Sequence, residues 1–116
     1  MLISGKIKMS VDILLVIAKS KGVMTTKAIA SEIGVTKTYV DRFATPMRTA
    51  GILKSKLGPG GGFYLSSLTS STKISNVVDC VMGNESVRDG IDLYCYEQLT
   101  SVTLQDIIDM DKKKPM

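Results

Sequence analysis

Hydroxyl, phenol and cationic side chains crowd one short stretch of this 116-residue chain, where Thr36, Lys37, Thr38, Tyr39 and Arg42 stand almost side by side. Lysine and arginine donate to phosphate oxygens or to the acceptor edge of guanine. Threonine bonds a base or touches a thymine methyl, and a tyrosine hydroxyl holds phosphate. Such a group offers adhesion to a nucleic acid rather than bond breaking. Thr26 and Lys27 precede it, and Lys54, Lys56, Gly58, Pro59, Gly60 and Gly61 follow it with further donors or bare backbone amides. A solvated helix face with one capping threonine is the competing reading, and the surrounding elements decide between the two. The chain has no histidine, no paired carboxylates in a glycine-lined pocket and no nucleophile motif, so it reads as a non-enzyme.

Apolar spacing defines the elements that must hold these residues. Ile7, Val11, Leu14, Leu15 and Ala18 recur at helical spacing across residues 7–20, with Ser4 to cap the start and Lys21-Gly22 to end it. Thr25 or Thr26 caps a second helix with Ile29, Ala30 and Ile33 inward, and Gly34 terminates it. Thr36 then suits the N-cap of a third, because its hydroxyl accepts a backbone N–H of the first turn. Two short helices around a glycine-containing turn make a helix-turn-helix pattern. On the third, Val40, Phe43, Ala44 and Met47 face inward, which turns Lys37, Thr38, Asp41 and Arg42 outward and leaves Tyr39 at the boundary. Pro46 interrupts this stripe, and an interior proline costs ~3 kcal/mol through a lost hydrogen bond and a clash. The sequence therefore predicts a helix over 37–44, a bend, and a separate short helical piece to Ala50.

Residues 52–57 and 63–65 carry the β-branched, aromatic and aliphatic side chains that suit strands. Between them Gly58-Pro59-Gly60-Gly61-Gly62 fits neither helix nor ladder, which predicts a hairpin with a tip longer than a two-residue turn. It is not a phosphate-cradling P-loop, because no Gly-Lys-Ser/Thr follows and strands flank it on both sides. A polar linker over 66–72 leads to a fourth helix over 73–82, with Ile74, Val77, Val78 and Val81 inward and Gly83-Asn84 as its stop. A fifth is predicted over 85–101, with Val87, Ile91, Tyr94 or Cys95, and Leu99 along one side. Thr103 caps a last short helix with Asp106 completing a box-like cap, and residues 111–116 form a frayed charged tail. The fold class is mainly α with a small two-stranded β-wing: a winged helix-turn-helix plus a C-terminal dimerisation helix.

Five segments now resemble the Rrf2 family of bacterial transcription regulators across almost the whole chain. They are Thr25-Thr26-Lys27-Ala28-Ile29-Ala30-Ser31-Glu32-Ile33-Gly34, Val35-Thr36-Lys37-Thr38-Tyr39-Val40-Asp41, Met47-Arg48-Thr49-Ala50-Gly51-Ile52-Leu53-Lys54, Gly58-Pro59-Gly60-Gly61-Gly62-Phe63-Tyr64-Leu65 and Val102-Thr103-Leu104-Gln105-Asp106. The resemblance implies a regulator of transcription whose partner is double-stranded DNA, with the third helix in the major groove and the wing at the minor groove. The DNA-binding residues would be Thr26, Lys27, Thr36, Lys37, Thr38, Tyr39, Arg42, Lys54, Lys56, Gly58, Pro59, Gly60 and Gly61. Relatives often carry an arginine just before the first wing glycine. Here that position is Leu57, so wing contact rests on backbone amides and lysines. Many relatives also bind an iron–sulfur cluster through three clustered cysteines. This chain has only Cys80 and Cys95, whereas cluster ligation takes about four donors. No cofactor or metal is expected. Cys80 reads as a small core hydrophobe, and Cys95 lacks the cationic neighbours that lower a thiol pKa.

Size and charge agree with this reading. The length suits one domain, divided into a winged helix-turn-helix part over 1–70 and a helical dimerisation part over 71–116. Residues 1–56 hold ten Lys/Arg against three Asp/Glu, and residues 57–111 hold two against eight. A basic first half suits a polyanion, and an acidic second half argues against indiscriminate coating of nucleic acid. No apolar run approaches a membrane span, which places the protein in the cytoplasm by default. Val87, Ile91, Tyr94 and Leu99 would pair two copies into a homodimer, since one half-site gives a small domain too little discrimination. The same stripe would otherwise close the monomer's own core. The expected function is a sequence-specific dimeric regulator of transcription, read as a repressor, although the sequence itself carries no sign of regulation. Two rivals remain: a winged-helix protein-interaction module antagonising a related regulator with weak DNA binding, and a thiol- or cluster-based sensor.

Overall fold

The computed structural model describes residues 5–82 and 101–113. Its described elements are α1 (Gly5–Ser20), α2 (Thr26–Ile33), α3 (Lys37–Thr49), β1 (Leu53–Lys56), β2 (Gly62–Leu65), a 3-10 turn (Thr69–Ser71), α4 (Ile74–Met82) and α5 (Leu104–Lys113). This is the mainly helical, winged architecture predicted from the sequence. Helix α1 is the central post, touched by α2, α3, β2, α4 and α5. Enclosure from several sides widens its buried surface beyond the predicted stripe. Ile13 and Ile17 are buried alongside Ile7 and Leu14, while Val11, Leu15 and Ala18 are only partly so. Ser10 is buried too, and donates its hydroxyl to the Lys6 carbonyl at 3.0 Å, which satisfies it inside the helix.

Helices α2 and α3 begin and end on the predicted signals. Thr25, rather than Thr26, caps α2, its hydroxyl oxygen accepting from the Ala28 N–H at 3.0 Å. Gly34 closes that helix at φ +90°, donating to the Ala30 carbonyl at 2.8 Å. Thr36 caps α3 by accepting from Tyr39 N–H at 3.1 Å. The predicted break near residue 45 does not occur: α3 runs from Lys37 to Thr49 with Pro46 inside it. Val40, Phe43, Ala44 and Met47 form one buried face on both sides of the proline, and Pro46 itself is exposed. The hydrogen bond lost at Pro46 thus falls on the exposed side of the helix, and continuous core packing holds the helix together.

The two strands pair antiparallel in the register Leu53↔Leu65, Lys54↔Tyr64, Ser55↔Phe63, Lys56↔Gly62. β1 is one residue shorter at each end than the predicted 52–57, and β2 gains Gly62 at the tip end. The tip is closed by a Gly61 N–H donated to the Gly58 carbonyl at 2.9 Å, with Pro59 and Gly60 between them. Gly60 at φ +75° after a proline is the type II arrangement. A third partner was absent from the sequence reading. Met24, just ahead of α2, exchanges both backbone bonds with Phe63, at 2.9 and 2.8 Å. That pair fixes the wing to the start of the helix-turn-helix. Gly62 permits it, because a Cβ there would lie 2.0 Å from the Met24 carbonyl oxygen.

After the wing the chain makes the 3-10 turn inside the predicted linker and enters α4. Ile74 N–H bonds the Val102 carbonyl at 2.9 Å and Leu104 N–H bonds the Thr72 carbonyl at 2.8 Å, which clasps the roots of α4 and α5 together. Thr103 and Asp106 form the predicted reciprocal cap, with bonds of 2.9 and 3.2 Å. Helix α5 continues to Lys113, so the predicted tail at 111 begins as helix. Val77 and Leu104 join the same core as Ile13, Ile29, Met47 and Phe63. Ser4, Cys95 and the predicted helix over 85–101, with Val87, Ile91, Tyr94 and Leu99, lie outside the described residues. Replacing Gly62 with alanine is expected to lower stability by about 3 kcal/mol in urea unfolding, by clash with a backbone atom. Gly60→Ala, whose Cβ meets nothing within 4 Å, should lose only the cost of a left-handed alanine, about 1 kcal/mol.

Candidate nucleic-acid interface

Burial of Val40, Phe43, Ala44 and Met47 presents the opposite face of α3 to solvent, and its amino end is open. Thr36, Lys37, Thr38 and Arg42 are all exposed there. The positive end of the helix dipole and Lys37 coincide, which favours an anion. Thr36 Oγ1 is occupied as an acceptor by its cap bond, so what it offers a ligand is its hydroxyl proton. Tyr39 is half-buried, packed edge-on against Phe43 with ring centroids 5.1 Å apart. That contact fixes the ring at the boundary where the sequence put it. Lys27 is exposed in the first turn of α2, whereas Thr26 is half-buried and donates to the Asp41 carboxylate at 3.4 Å. Thr26 is therefore first a bridge between the two helices.

Lys54 and Lys56 project from the outer face of the wing, since the alternation that buries Leu53 turns them outward. Tyr64, opposite Lys54 in the register, shares that face. It is a residue the sequence reading left out, although strict alternation from Phe63 would have found it. Gly58, Pro59 and Gly60 are exposed at the tip. Gly61 is only half-exposed, and its missing side chain accommodates the Lys56 carbonyl, 2.2 Å from where a Cβ would stand. Among the described residues the ion pair is Lys8 with Asp12, so Lys27, Lys37, Arg42, Lys54 and Lys56 have no carboxylate partner there. The predicted contact residues thus fall into two exposed groups, one on α2–α3 and one on the wing, joined through Met24 and Phe63.

A family model described as Rrf2, iron-dependent transcriptional regulator, matches residues 3–95. The chain belongs to the Rrf2 family. It is accordingly a transcriptional regulator with a DNA-binding fold, and its relatives are regulators rather than enzymes. Solved structures share the fold of this Rrf2 protein at low identity. CymR (YrzC), described as the global cysteine regulator of B. subtilis, is 24% identical at TM-score 0.79, over 95% of this chain and 98% of that one. IscR of T. potens is 23% identical at TM-score 0.80, covering 100% and 93% respectively. The oxidized form of Staphylococcus aureus CymR is 21% identical at TM-score 0.75, covering 92% and 95%. No curated protein matches the chain in sequence. No described helix is long and apolar enough to cross a membrane.

Iron enters through the family description, and the donor set of this Rrf2 chain can be tested against it. The sequence has two cysteines and no histidine. Among the described residues no three of histidine, cysteine, aspartate and glutamate converge. Cys80 lies on α4 beside a groove of about 410 Å³ at the base of the wing, with Gly51, Ile52, Ser66, Lys73 and Asn76 among its neighbours. Burial pushes its thiol pKa above the ordinary value of 9.0, so it is protonated at neutral pH, and a soft metal prefers the thiolate. Among the described residues, then, nothing supplies the donor set of an iron–sulfur cluster. Alkylation of Cys80 by iodoacetamide, followed by peptide mass mapping, should run slower than that of free cysteine at pH 8. It should accelerate only above the ordinary thiol range. Deprotonation is the disfavoured step in the folded state, so any contribution of Cys80 to stability is complete below the unfolded pKa and is lost as pH rises through the raised folded-state pKa.

Proposed function

We propose that this Rrf2 protein is a sequence-specific double-stranded DNA-binding repressor, acting as a homodimer in the cytoplasm. The N-terminal end of α3 enters the major groove with Thr36, Lys37, Thr38 and Arg42 at base edges and Tyr39 near phosphate. Lys54, Lys56 and the glycine tip lie along the adjacent minor groove, and Lys27 and Thr26 sit against the backbone. The observation that carries this reading is the pair of exposed cationic groups, on the helix end and on the hairpin, anchored to each other by backbone bonds. Two such units one helical turn apart would read a near-palindromic site. Pairing runs through the stripe of Val87, Ile91, Tyr94 and Leu99, so residues 1–70 read DNA and residues 71–116 assemble the dimer. The shared core makes this a division of labour within one domain. The protein works without an iron–sulfur cluster, as its two cysteines and lack of histidine imply. Metal analysis and a visible spectrum of anaerobically purified protein check this, with substoichiometric iron and no cluster absorption as the outcome.

Selection of bound sequences from a random duplex pool, at a stated salt concentration, tests the reading directly. On the selected duplex, Lys37→Ala and Arg42→Ala should each cost ~1–3 kcal/mol and relax the preference at the bases they face. Lys54→Ala should weaken binding evenly across sequences and reduce the salt slope by about 1. Equal binding of all duplexes by wild type and variants alike would remove the basis for this function.

A further inference from the structure

Four of the five residues from Gly58 to Gly62 have no side chain. A hairpin tip without side chains is narrower than a substituted one, so its backbone can approach the floor of a minor groove more closely. What such a tip brings besides amides is set by its two remaining side chains, Leu57 and Pro59. Leu57 lies one residue past the last ladder pair, Lys56↔Gly62, and is 90% exposed, whereas Leu53 at the other end of the same strand is 1% exposed. Pro59 occupies the second position of the tip turn and is also exposed. Exposed to this degree and absent from the core, the leucine contributes little apolar burial to folding. Charge complementarity supplies its partner. Lys54 and Lys56 directly precede it on the same strand, and neither has a carboxylate partner among the described residues.

We infer that Leu57, with Pro59, is an apolar wedge that packs into the minor groove and selects deformable base steps there. The inference rests on the DNA-binding function proposed above. Hydrocarbon side chains at a groove floor lie against sugar faces and part neighbouring base pairs, which is easiest at flexible pyrimidine–purine steps such as TA. An arginine would instead be drawn by the negative potential of a narrow, stiff A-tract. The two chemistries also differ in salt response. A cation releases counterions on binding, and a leucine does not. Leu57 thus makes the wing a reader of flexibility rather than of groove potential.

The test uses full-length protein and the duplex enriched from a random pool, with affinities measured across a salt series. Leu57→Ala should bind roughly tenfold more weakly with an unchanged salt slope, and should lose the preference for a TA step under the wing. Leu57→Met should retain the affinity and the step preference. Leu57→Arg should steepen the slope by about 1 and shift preference towards A-tracts. A 2-aminopurine placed in the step under the wing should brighten with wild type and not with Leu57→Ala, reporting unstacking. The urea midpoint of Leu57→Ala should match wild type, because the side chain is already in water. If Leu57→Ala binds within twofold of wild type at every salt, or the 2-aminopurine signal is the same for both, the wedge is wrong. Lys37→Ala separates the two levels. Weakened binding by Lys37→Ala beside an unaffected Leu57→Ala overturns the wedge alone, whereas a pool yielding no enriched duplex overturns the DNA-binding reading and the wedge with it.

Discussion

Two backbone hydrogen bonds between Met24 and Phe63 hold this molecule's reading surface together. A two-stranded hairpin is marginal by itself in water, and a helix pair as short as α2 and α3 is no better. The Met24 bridge makes the hairpin lean on the residue that immediately precedes the cap of α2. It brings the cationic strand and the cationic helix end into one rigid frame. Buried Leu53 and Phe63 then seal the hairpin onto the core formed by Ile13, Leu14, Ile29 and Met47. Ser66 completes the frame from the other end, donating its hydroxyl to the Ile52 carbonyl at 2.9 Å. The glycine at position 62 is the condition for all of this, since any larger residue would push Met24 away.

Much of this was legible in the letters. Thr25 or Thr26, Gly34 and Thr36 announce helix ends through local chemistry that tertiary contacts do not override, and the structure placed caps on Thr25 and Thr36. The glycine run likewise dictates a hairpin tip. The Thr103–Asp106 pair marks the start of α5 by the reciprocal spacing of donor and acceptor. What escaped detection depends on neighbours distant in sequence. Pro46 looked like a helix breaker because a proline's cost is local, but the apolar face that outweighs it is assembled by α1, α4 and β1. The buried surface of α1 was read too narrowly, since one helical stripe cannot reveal that five elements will surround it. Met24 carried no signal at all, because a single bridging residue in an extended stretch has no periodicity.

The predicted contact residues divide by what the structure does with them. Lys27, Lys37, Thr38, Arg42, Lys54 and Lys56 are exposed and unpaired among the described residues, so their charge and donors are available. Thr26, Thr36 and Gly61 already have structural duties, as a bridge to Asp41, a helix cap and a space for the Lys56 carbonyl. Substituting one of these three would therefore mix a loss of stability with any loss of binding. Among the described residues no three histidine, cysteine, aspartate or glutamate side chains converge. Burial keeps the Cys80 thiol protonated, which leaves a compact apolar side chain at the base of the wing.

The clasp between Lys73 and Thr103 has a topological consequence. Because Ile74 and Leu104 each donate to a carbonyl beside the other's root, α4 and α5 share one fixed junction. In chain connectivity, residues 75–101 are a loop closed at that junction. Closing a longer loop is cheap, about 0.6 kcal/mol for each doubling of length. A change in the length of that segment would therefore cost the junction little, and the pairing of Lys73 with Thr103 would hold α4 and α5 at the same root.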